Sequence, residues 1–478
     1  MALEQDRSGE RQMESVNDWQ ARLEETTLDP ARKTTRNYYL FLLFLLAVTG
    51  WGIYAYSLQV RRGLVVTGMS DRISWGLYIT MFVFFIGISH AGTLISAILR
   101  VSHAGWRTPV TRMAEFITAV ALITGAFFVI VDLGRPDRLI NVLVFGRWQS
   151  PIVWDVLAVT TYLTASVVYL YLPMVPDLAF FRDRLAPWVS KSKHMMYRIL
   201  AINWQGTGGQ KRQLGKAISI MMILIIPIAV SVHTVVSWIF AMTLREAWNS
   251  AIFGFFFVAG AIFSGIATLI VVMAILRRVY RLEEYITPKH FLYLGYLMAA
   301  MAGVMIYANL SEYITAGFKF EEGTEFLFRQ LFIDEFAPYF WFYFIGGLLT
   351  PIVFMFIPKL RTVKGIVTAA VFVDLGMWVE RYFIVVTGLR APLLPYEPVN
   401  YAPTWVEWSI TAGGFAFFAL LITLFVKAFP IMAVWEMTEE RREEFETMVE
   451  YEHEFDNDVI PAAGASDSSA KPEPGGPP

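Results

Sequence analysis

Long apolar runs recur along this 478-residue chain, each of about 20 residues and each separated from the next by polar residues. A run of this length crosses a hydrocarbon layer of about 30 Å as a helix, because a helix pairs its backbone polar groups internally. The composition agrees, since 56% of the residues are hydrophobic and 17% are charged, where soluble domains carry about 25% charged residues. The sequence therefore predicts an all-α polytopic membrane protein.

We predict ten transmembrane helices and their grouping. The spans cover residues 38–59, 73–100, 110–133, 152–175, 217–241, 251–276, 290–314, 336–357, 365–388 and 405–429. Similar strings, Pro151–Trp154 and Pro338–Trp341, begin the fourth and eighth spans. This similarity suggests a repeat, with spans two to five and six to nine forming two four-helix bundles and spans one and ten lying at the periphery.

Charge and composition predict the topology. Lys and Arg concentrate in the even-numbered loops, so the positive-inside rule predicts that both termini are cytoplasmic. Residues 1–37 are then a cytoplasmic extension, residues 38–430 the transmembrane domain and residues 431–478 a cytoplasmic tail with a disordered end. The longest inner loop, 176–216, mixes apolar and basic residues and predicts a helix lying in the membrane interface.

The chain contains no cysteine. An iron–sulfur cluster, a covalently bound c-type haem and a thiolate zinc site are therefore excluded within it, and no metal site is predicted. Any cluster must belong to a partner protein. The formal net charge of −2 gives no attraction towards nucleic acid.

Ionisable side chains inside the spans are the most informative feature, because each costs at least about 2.5 kcal/mol at the centre of a membrane helix. Counting the helical rise from basic anchors predicts His90 and Asp374 near the midplane. The same count predicts His233 and the adjacent Glu380 and Arg381 in the outer third of the membrane.

Two carboxylates, Asp132 and Asp155, mark the outer ends of the third and fourth spans, whereas the inner half shows only Glu115. This asymmetry suits oxidation of a quinol, since the reaction removes two protons with two electrons and needs bases close to one membrane face. A packing role is the competing interpretation: His90 can bridge helices, Asp132 can cap its helix, and buried charges can pair.

Five motifs carry a family resemblance. They are Ser74–Leu77, Gly87–Gly92, Asp132–Pro136, Ser231–Trp238 and Asp374–Arg381. Together they resemble the NrfD/PsrC family, the membrane subunits of quinone-linked molybdenum or iron–sulfur oxidoreductases. Within it, the ten-span layout is most similar to the ActC branch, which belongs to the bacterial alternative complex III. The similarity covers about residues 38–430.

The resemblance implies a subunit of a quinol:acceptor oxidoreductase in the bacterial cytoplasmic membrane, inactive in isolation. It would bind menaquinol or menaquinone, carry no haem or cluster, and oxidise menaquinol near the outer face with release of protons there, and proton translocation could be coupled to this step. Implied partners are an outer iron–sulfur or molybdopterin-like subunit, c-type haem subunits and a second NrfD-like membrane subunit.

The resemblance assigns quinol binding to His90, Asp132 and Asp155, which we predict as the catalytic set, and proton transfer to His233 and Glu380. From the sequence we add Arg135 and Trp75 as quinol contacts and Asp374 and Arg381 as candidates for proton transfer.

Three alternatives remain. The chain could be an NrfD-type anchor of a polysulfide, nitrite or hydrogenase-linked reductase. It could be a secondary transporter, although the polar groups concentrate in one half and leave no evident inner path. A dihaem cytochrome needs two pairs of axial histidines, and only His90 and His233 lie well inside spans.

Overall fold

The computed structural model describes residues 2–102, 104–391 and 398–458 of the chain. The first half contains α1 (Ala2–Arg32), α2 (Arg36–Arg62), α3 (Leu77–Ile88), α4 (Ser96–Val101), α5 (Thr108–Asp132), α6 (Asn141–Val144), α7 (Pro151–Leu185), α8 (Lys191–Leu200) and α9 (Gly208–Ala241). The second half contains α10 (Phe253–Val279), α11 (Pro288–Lys319), α12 (Glu322–Phe332), α13 (Ala337–Trp341), α14 (Thr350–Phe356), α15 (Val363–Arg390), α16 (Trp405–Ala428) and α17 (Val434–Asp458). These ranges contain helices and loops and no β-strand.

The all-helical membrane class is confirmed. Eight helical segments of the described residues are long and apolar enough to cross a membrane. The second predicted span has α3 with only 12 residues, and a π-helical turn, Ala91–Ile95, joins its end to α4. The ninth, α15, has 28 residues but carries several charged side chains. The count of ten spans stays a prediction.

The residues Thr26–Ala433 form one compact unit. Within it α3, α5, α7 and α9 pack on one another, as do α10, α11, α14 and α15. This grouping is the one predicted for the two bundles. Helix α10 also packs on α3 and α9, so it joins the two sets, while α2 lies along α16 and α16 contacts α5.

The second unit comprises the described residues within Met1–Glu25 and Val434–Pro478. Inside it the Arg442 side chain donates to the Gln20 amide oxygen at 3.1 Å, and the Arg441 guanidinium lies 5.9 Å from the Trp19 ring centre. The tail predicted to be disordered, 461–478, lies outside the described residues. The cytoplasmic position of both termini stays a prediction.

Helix α7 extends further than the sequence predicted. We placed the end of this span at residue 175, close to Pro173 and Pro176. The helix instead continues to Leu185, a length of 35 residues. Membrane helices tolerate proline where neighbouring groups satisfy the freed backbone. The continued helix also contacts α5, since the Arg112 side chain donates to the Pro173 carbonyl oxygen at 3.0 Å.

Candidate functional site

Two histidines from neighbouring helices meet inside the first bundle. The ring centres of His90, which follows α3, and His233 of α9 are 3.7 Å apart, and both residues are buried. Nε2 of His90 lies 2.7 Å from the carbonyl oxygen of Ala229. A carbonyl only accepts, so Nε2 carries the proton and Nδ1 is left as an acceptor. The depths predicted for the two histidines were different, and the structure corrects this by placing them side by side.

Each histidine of the pair has a ring nitrogen without a hydrogen-bond partner. Nδ1 of His90 and Nδ1 of His233 are buried and make no hydrogen bond with the protein. The Tyr162 ring of α7 lies 5.5 Å from the His90 ring, and its hydroxyl donates to the Ser89 carbonyl at 3.0 Å. Buried polar groups are normally satisfied, so unpaired ring nitrogens indicate a place where a ligand or water binds.

Asp155 lies on the same face of α7 as Tyr162, two helical turns and therefore about 10 Å closer to the Pro151 end. It is buried, and its Oδ1 has no partner. Beside it the Trp154 ring packs against Trp238 of α9. The structure thus places a carboxylate between the histidine pair and the end of the bundle that is predicted to face outward.

The backbone is irregular at the histidine pair. The π-helical turn begins directly after His90, at Ala91. Gly265 of α10 packs against this turn so closely that a Cβ there would lie 2.6 Å from the Ala91 nitrogen. Single π-helical turns are frequent at functional sites because they re-aim one side chain without ending the helix.

The second bundle contributes a buried ion pair. Nη1 of Arg381 donates to both oxygens of the Glu380 carboxylate, at 2.9 and 2.7 Å, and both residues are buried. The guanidinium lies 4.9 Å from the centre of the Phe257 ring on α10 and within electrostatic range of His233. Earlier on α15, towards the inner side, Asp374 accepts a hydrogen bond from Thr268 of α10 at 2.9 Å.

Asp132 belongs to a different polar cluster, at the outer end of α5. Thr118 of α5 donates to the Ser89 carbonyl, so Asp132, 14 residues further along α5, lies about 21 Å outward of this level. Its electrostatic neighbours are Tyr78 and Glu407. The structure does not bring Asp132 and His90 together.

Glu407 is the centre of that outer cluster. Its carboxylate accepts from the Tyr401 hydroxyl at 2.5 Å and from the backbone nitrogens of Gly68 and Thr404 at 2.7 and 2.8 Å. The Tyr401 hydroxyl in turn accepts from the Leu77 nitrogen, at the start of α3. Sequence reasoning missed Glu407, although Thr404 and Glu407 have the spacing of a capping box at the start of a helix.

The two remaining predicted quinol contacts lie near the outer surface. Arg135 is exposed and forms a bidentate pair with Asp137, and this hydrogen-bonded guanidinium holds the pKa of Asp137 below its ordinary value. The Trp75 ring packs 5.9 Å from that of Trp248 and 5.5 Å from that of Phe240. Arg135 contacts neither histidine in the structure, and Trp75 reaches α9 through Phe240.

The inner half of the first bundle is more polar than the sequence predicted. Ser96 donates to Glu115 at 2.9 Å and lies 3.3 Å from the Tyr169 hydroxyl. Deeper still, Arg112 pairs with Asp177 at 3.0 Å, and both side chains are 1% exposed. We predicted only Glu115 here: Asp177 fell in the predicted loop 176–216, and Arg112, inside the third predicted span, was missed.

One sequence signal could have found Tyr162 and Tyr169, the two buried tyrosines of α7. On α7, residues 155, 162, 166 and 169 recur at intervals of seven, four and three, which places them on one helix face. They are Asp155, Tyr162, Ser166 and Tyr169, all buried. Polar residues along one face of a membrane helix face the bundle interior.

Known proteins resemble this chain over most of its length. Residues 65–392 match the family described as Polysulphide reductase, NrfD. A putative membrane subunit of a dimethyl sulfoxide reductase from Halobacterium salinarum is 28% identical, over 82% of this chain and 91% of its own. The Hdr-like menaquinol oxidoreductase integral membrane subunit of Archaeoglobus fulgidus is 26% identical, over 84% and 96%.

A third relative is the integral membrane subunit of the menaquinone reductase of Nitratidesulfovibrio vulgaris, which is 24% identical over 84% of this chain and 93% of its own. These relatives, like the family match, cover both helix bundles and the histidine pair. The motifs read from the sequence, the packing of the helices and the match over residues 65–392 agree, and this multi-pass membrane protein belongs to the polysulphide reductase NrfD family.

Proposed function

We propose that the chain is the quinone-binding membrane subunit of an oxidoreductase complex and that menaquinol is oxidised in the first bundle. The observation that carries the proposal is the set of buried, unpartnered acceptors at the seam of α3, α7 and α9: Nδ1 of His90, Nδ1 of His233 and Oδ1 of Asp155. A quinol head group offers two hydroxyl donors. Two relatives named for menaquinol or menaquinone support the choice of substrate.

The groups at this seam account for the protons that quinol oxidation releases, and a partner subunit accounts for the electrons. Oxidation of one quinol to a quinone releases two protons and two electrons. His90 and Asp155 would each accept one proton and pass it outward, past Trp154 and Trp75, with Asp132 and Arg135 at the mouth. The two electrons would leave to an iron–sulfur or molybdopterin-like subunit on the outer side, because this chain has no cysteine to hold a cluster.

The composition of the proposed complex follows from this separation of quinol oxidation in this chain from electron transfer in its partners. Subunits with c-type haem would take the electrons further, and a second NrfD-like membrane subunit would complete the membrane part, as in the alternative complex III to which the ActC branch belongs. The bacterial cytoplasmic membrane, with both termini inside, is the proposed location. Electron flow in the opposite direction, as in a reductase anchor, would use the same groups; a relative named for dimethyl sulfoxide reductase favours that second candidate.

The absence of polar groups in the inner half no longer argues against a transporter, since the inner half of the first bundle carries buried polar groups. The family assignment now argues against it instead, because the relatives reported above bear the names of redox complexes.

Two substitutions test the quinol site in the intact complex. We expect His90→Leu and Asp155→Asn to lower menaquinol oxidation by 10²–10⁴-fold, roughly the contribution of general base catalysis, with the full set of subunits still assembled. Electron transfer from an artificial donor to the partner subunit is the internal control, and it should not change. Normal menaquinol turnover in both variants would show that the site is elsewhere.

We further propose that protons reach the histidine pair from the inner side. The column runs from the pair Arg112–Asp177 through Glu115, Ser96 and Tyr169 to Tyr162 beside His90. Between the two tyrosines, the Ser166 hydroxyl is buried without a partner, so a bound water could bridge the step. Asp374 and the pair Glu380–Arg381 would carry protons onward to the outside, as a second limb of this route.

Proton-to-electron ratios in proteoliposomes test this route. We expect Glu115→Gln to lower the ratio towards the one proton per electron that quinol oxidation itself releases, while turnover persists. Asp374→Asn tests the second limb in the same assay, and Glu283→Gln, on an exposed carboxylate outside the proposed route, is the control. An unchanged ratio in stable Glu115 and Asp374 variants would leave only proton release from the quinol.

A further inference from the structure

A polar groove lies where α7 ends, on the side of the molecule that carries the basic loops. It has a volume of about 620 Å³ and is lined by Arg182, Asp183, His194, Arg198 and Asn203. Neither the histidine pair nor the polar column of the first bundle contributes to it. Three of the five lining residues are basic types, so the groove suits an anion.

The two arginines of the groove differ in whether a carboxylate pairs with them. Arg182 already has its partners, since it forms a bidentate pair with Asp183 at 2.7 and 2.9 Å and donates to the Trp204 carbonyl. Arg198 is exposed, and no carboxylate among the described residues pairs with it. The net positive charge of the groove therefore comes from Arg198, and His194 lies one helical turn away on the same side of α8.

Helix α8 has three distinct faces. The Tyr197 face is buried, and its hydroxyl donates to the Ala428 carbonyl at 2.8 Å, which fixes the rotation of the helix. His194 and Arg198 form the polar face. About 100° around the helix, Met195 and Ile199 are 50% and 67% exposed. A helix with adjacent basic and exposed apolar faces lies in the membrane interface, as the sequence predicted for this loop.

The turn after α8 has a strained backbone and extends the exposed apolar face of the helix. Ile202 has φ +41° and Asn203 has φ +54°, both in the left-handed region that a β-branched residue rarely adopts. Ile202 is nonetheless 65% exposed, so burial of its side chain within the protein does not account for this conformation. The turn places Asn203 in the groove while Ile202, its neighbour, extends the exposed apolar surface.

We propose that this groove binds the phosphate of an anionic membrane phospholipid. The Arg198 guanidinium and the His194 ring would donate to the phosphate oxygens, and the Asn203 amide would donate to the same head group. The acyl chains would cover Met195, Ile199 and Ile202, which explains why these large apolar side chains are exposed. The inference is independent of the quinone site.

Native mass spectrometry of the intact complex, purified in mild detergent from membranes containing phosphatidylglycerol, tests the proposal. Arg198→Gln should lower the retained anionic phospholipid about fivefold, which is the effect of one basic residue near an anionic head group. Arg212→Gln is the matched control, because Arg212 is exposed on the neighbouring α9 and does not line the groove. Equal retention in the two variants would overturn the proposal.

A second experiment distinguishes a bound lipid from bound free phosphate. Ile199→Ser removes apolar contact and leaves the groove charges unchanged, so it should lower phospholipid retention, and added inorganic phosphate should not displace the lipid. If inorganic phosphate displaces it and Ile199→Ser has no effect, the groove is a site for free phosphate and the lipid assignment is wrong.

Discussion

The imidazole rings of His90 and His233 lie 3.7 Å apart, with their planes inclined by 65°. Two imidazolium ions at this distance inside a membrane would repel strongly, so the pair holds one excess proton at most. A pair of this kind can take a proton from a donor on one side and release it to the other. This property gives His233 a role that can be tested separately from His90.

We expect His233→Asn to lower menaquinol oxidation by at least about tenfold, because His90 then keeps no second imidazole to receive its proton. Activity in the wild type should fall as the pH is lowered, since protonation of the pair removes its acceptors. The variant should be slower at every pH. Rates measured across pH in the intact complex check this.

Ser231→Ala serves as the control for the histidine substitution. Ser231 lies on the same helix but is exposed, and its hydroxyl bonds only to the Ile228 carbonyl of its own helix. A His233 variant that turns over as fast as the Ser231 variant would exclude the proton relay between the two rings.

The outer cluster predicts a structural effect without a catalytic one. Burial, and then the Glu407 carboxylate, raise the pKa of Tyr401, so this phenol stays protonated and donates to Glu407. Tyr401→Phe removes that donor and the acceptor of the Leu77 nitrogen. We expect a loss of about 1–3 kcal/mol in the free energy of unfolding, seen as a lower melting temperature.

Tyr54→Phe is the matched control, because Tyr54 is 51% exposed on α2. Its melting temperature should equal that of the wild type. If Tyr401→Phe melts at the same temperature as Tyr54→Phe, the hydrogen bonds of the outer cluster contribute nothing to stability.

The sequence was sufficient for the helical class and for the two bundles, because the length and hydrophobicity of a span are local properties. It also singled out His90, His233 and Asp155 as candidates, since ionisable residues stand out in apolar runs. The contact between the two histidines was not predictable from depth alone. Their predicted depths came from different basic anchors, and a long side chain such as Lys216 can reach the interface from outside the span.

The inner polar column shows a different limit. The fourth predicted span ended at residue 175, so Asp177 was placed in the loop that follows it. Whether a proline ends a membrane helix depends on groups from other helices. Here Arg112 of α5 pairs with Asp177 in the part of α7 beyond its prolines. The sequence of α7 alone does not contain that information.

The outer loops offer a prediction about partners. Large aromatic side chains are exposed in both: Phe145 and Trp148 are 76% and 72% exposed in residues 134–151, and Phe318 is 91% exposed in residues 315–335. Exposed aromatic residues are typical of protein interfaces. Cross-linking of the intact complex should join both loops to the electron-accepting subunit. If these loops cross-link only to cytoplasmic proteins, the predicted topology is inverted.

The last prediction concerns the close approach of α10 and α15 at Arg381. Gly260 of α10 leaves room for this guanidinium, since a Cβ there would lie 2.6 Å from Nη2 of Arg381 and 3.2 Å from Cε of Met377. Gly260→Ala must therefore push the guanidinium away from its position over Phe257 and strain the pair with Glu380. We expect a destabilisation of about 1–3 kcal/mol, the usual cost of overpacking, and a lower proton-to-electron ratio if Arg381 belongs to the outward limb.

Gly303→Ala is the control for this substitution, because a Cβ at Gly303 of α11 meets nothing within 4 Å. Alanine is favoured over glycine in a helix by about 0.5–1 kcal/mol, so Gly303→Ala should keep or raise the melting temperature. The two variants make the same chemical change, and their difference isolates the contact with Arg381. If both melt alike and translocate alike, the position of the guanidinium has no influence on either property, and the role proposed for the pair Glu380–Arg381 in proton transfer is wrong.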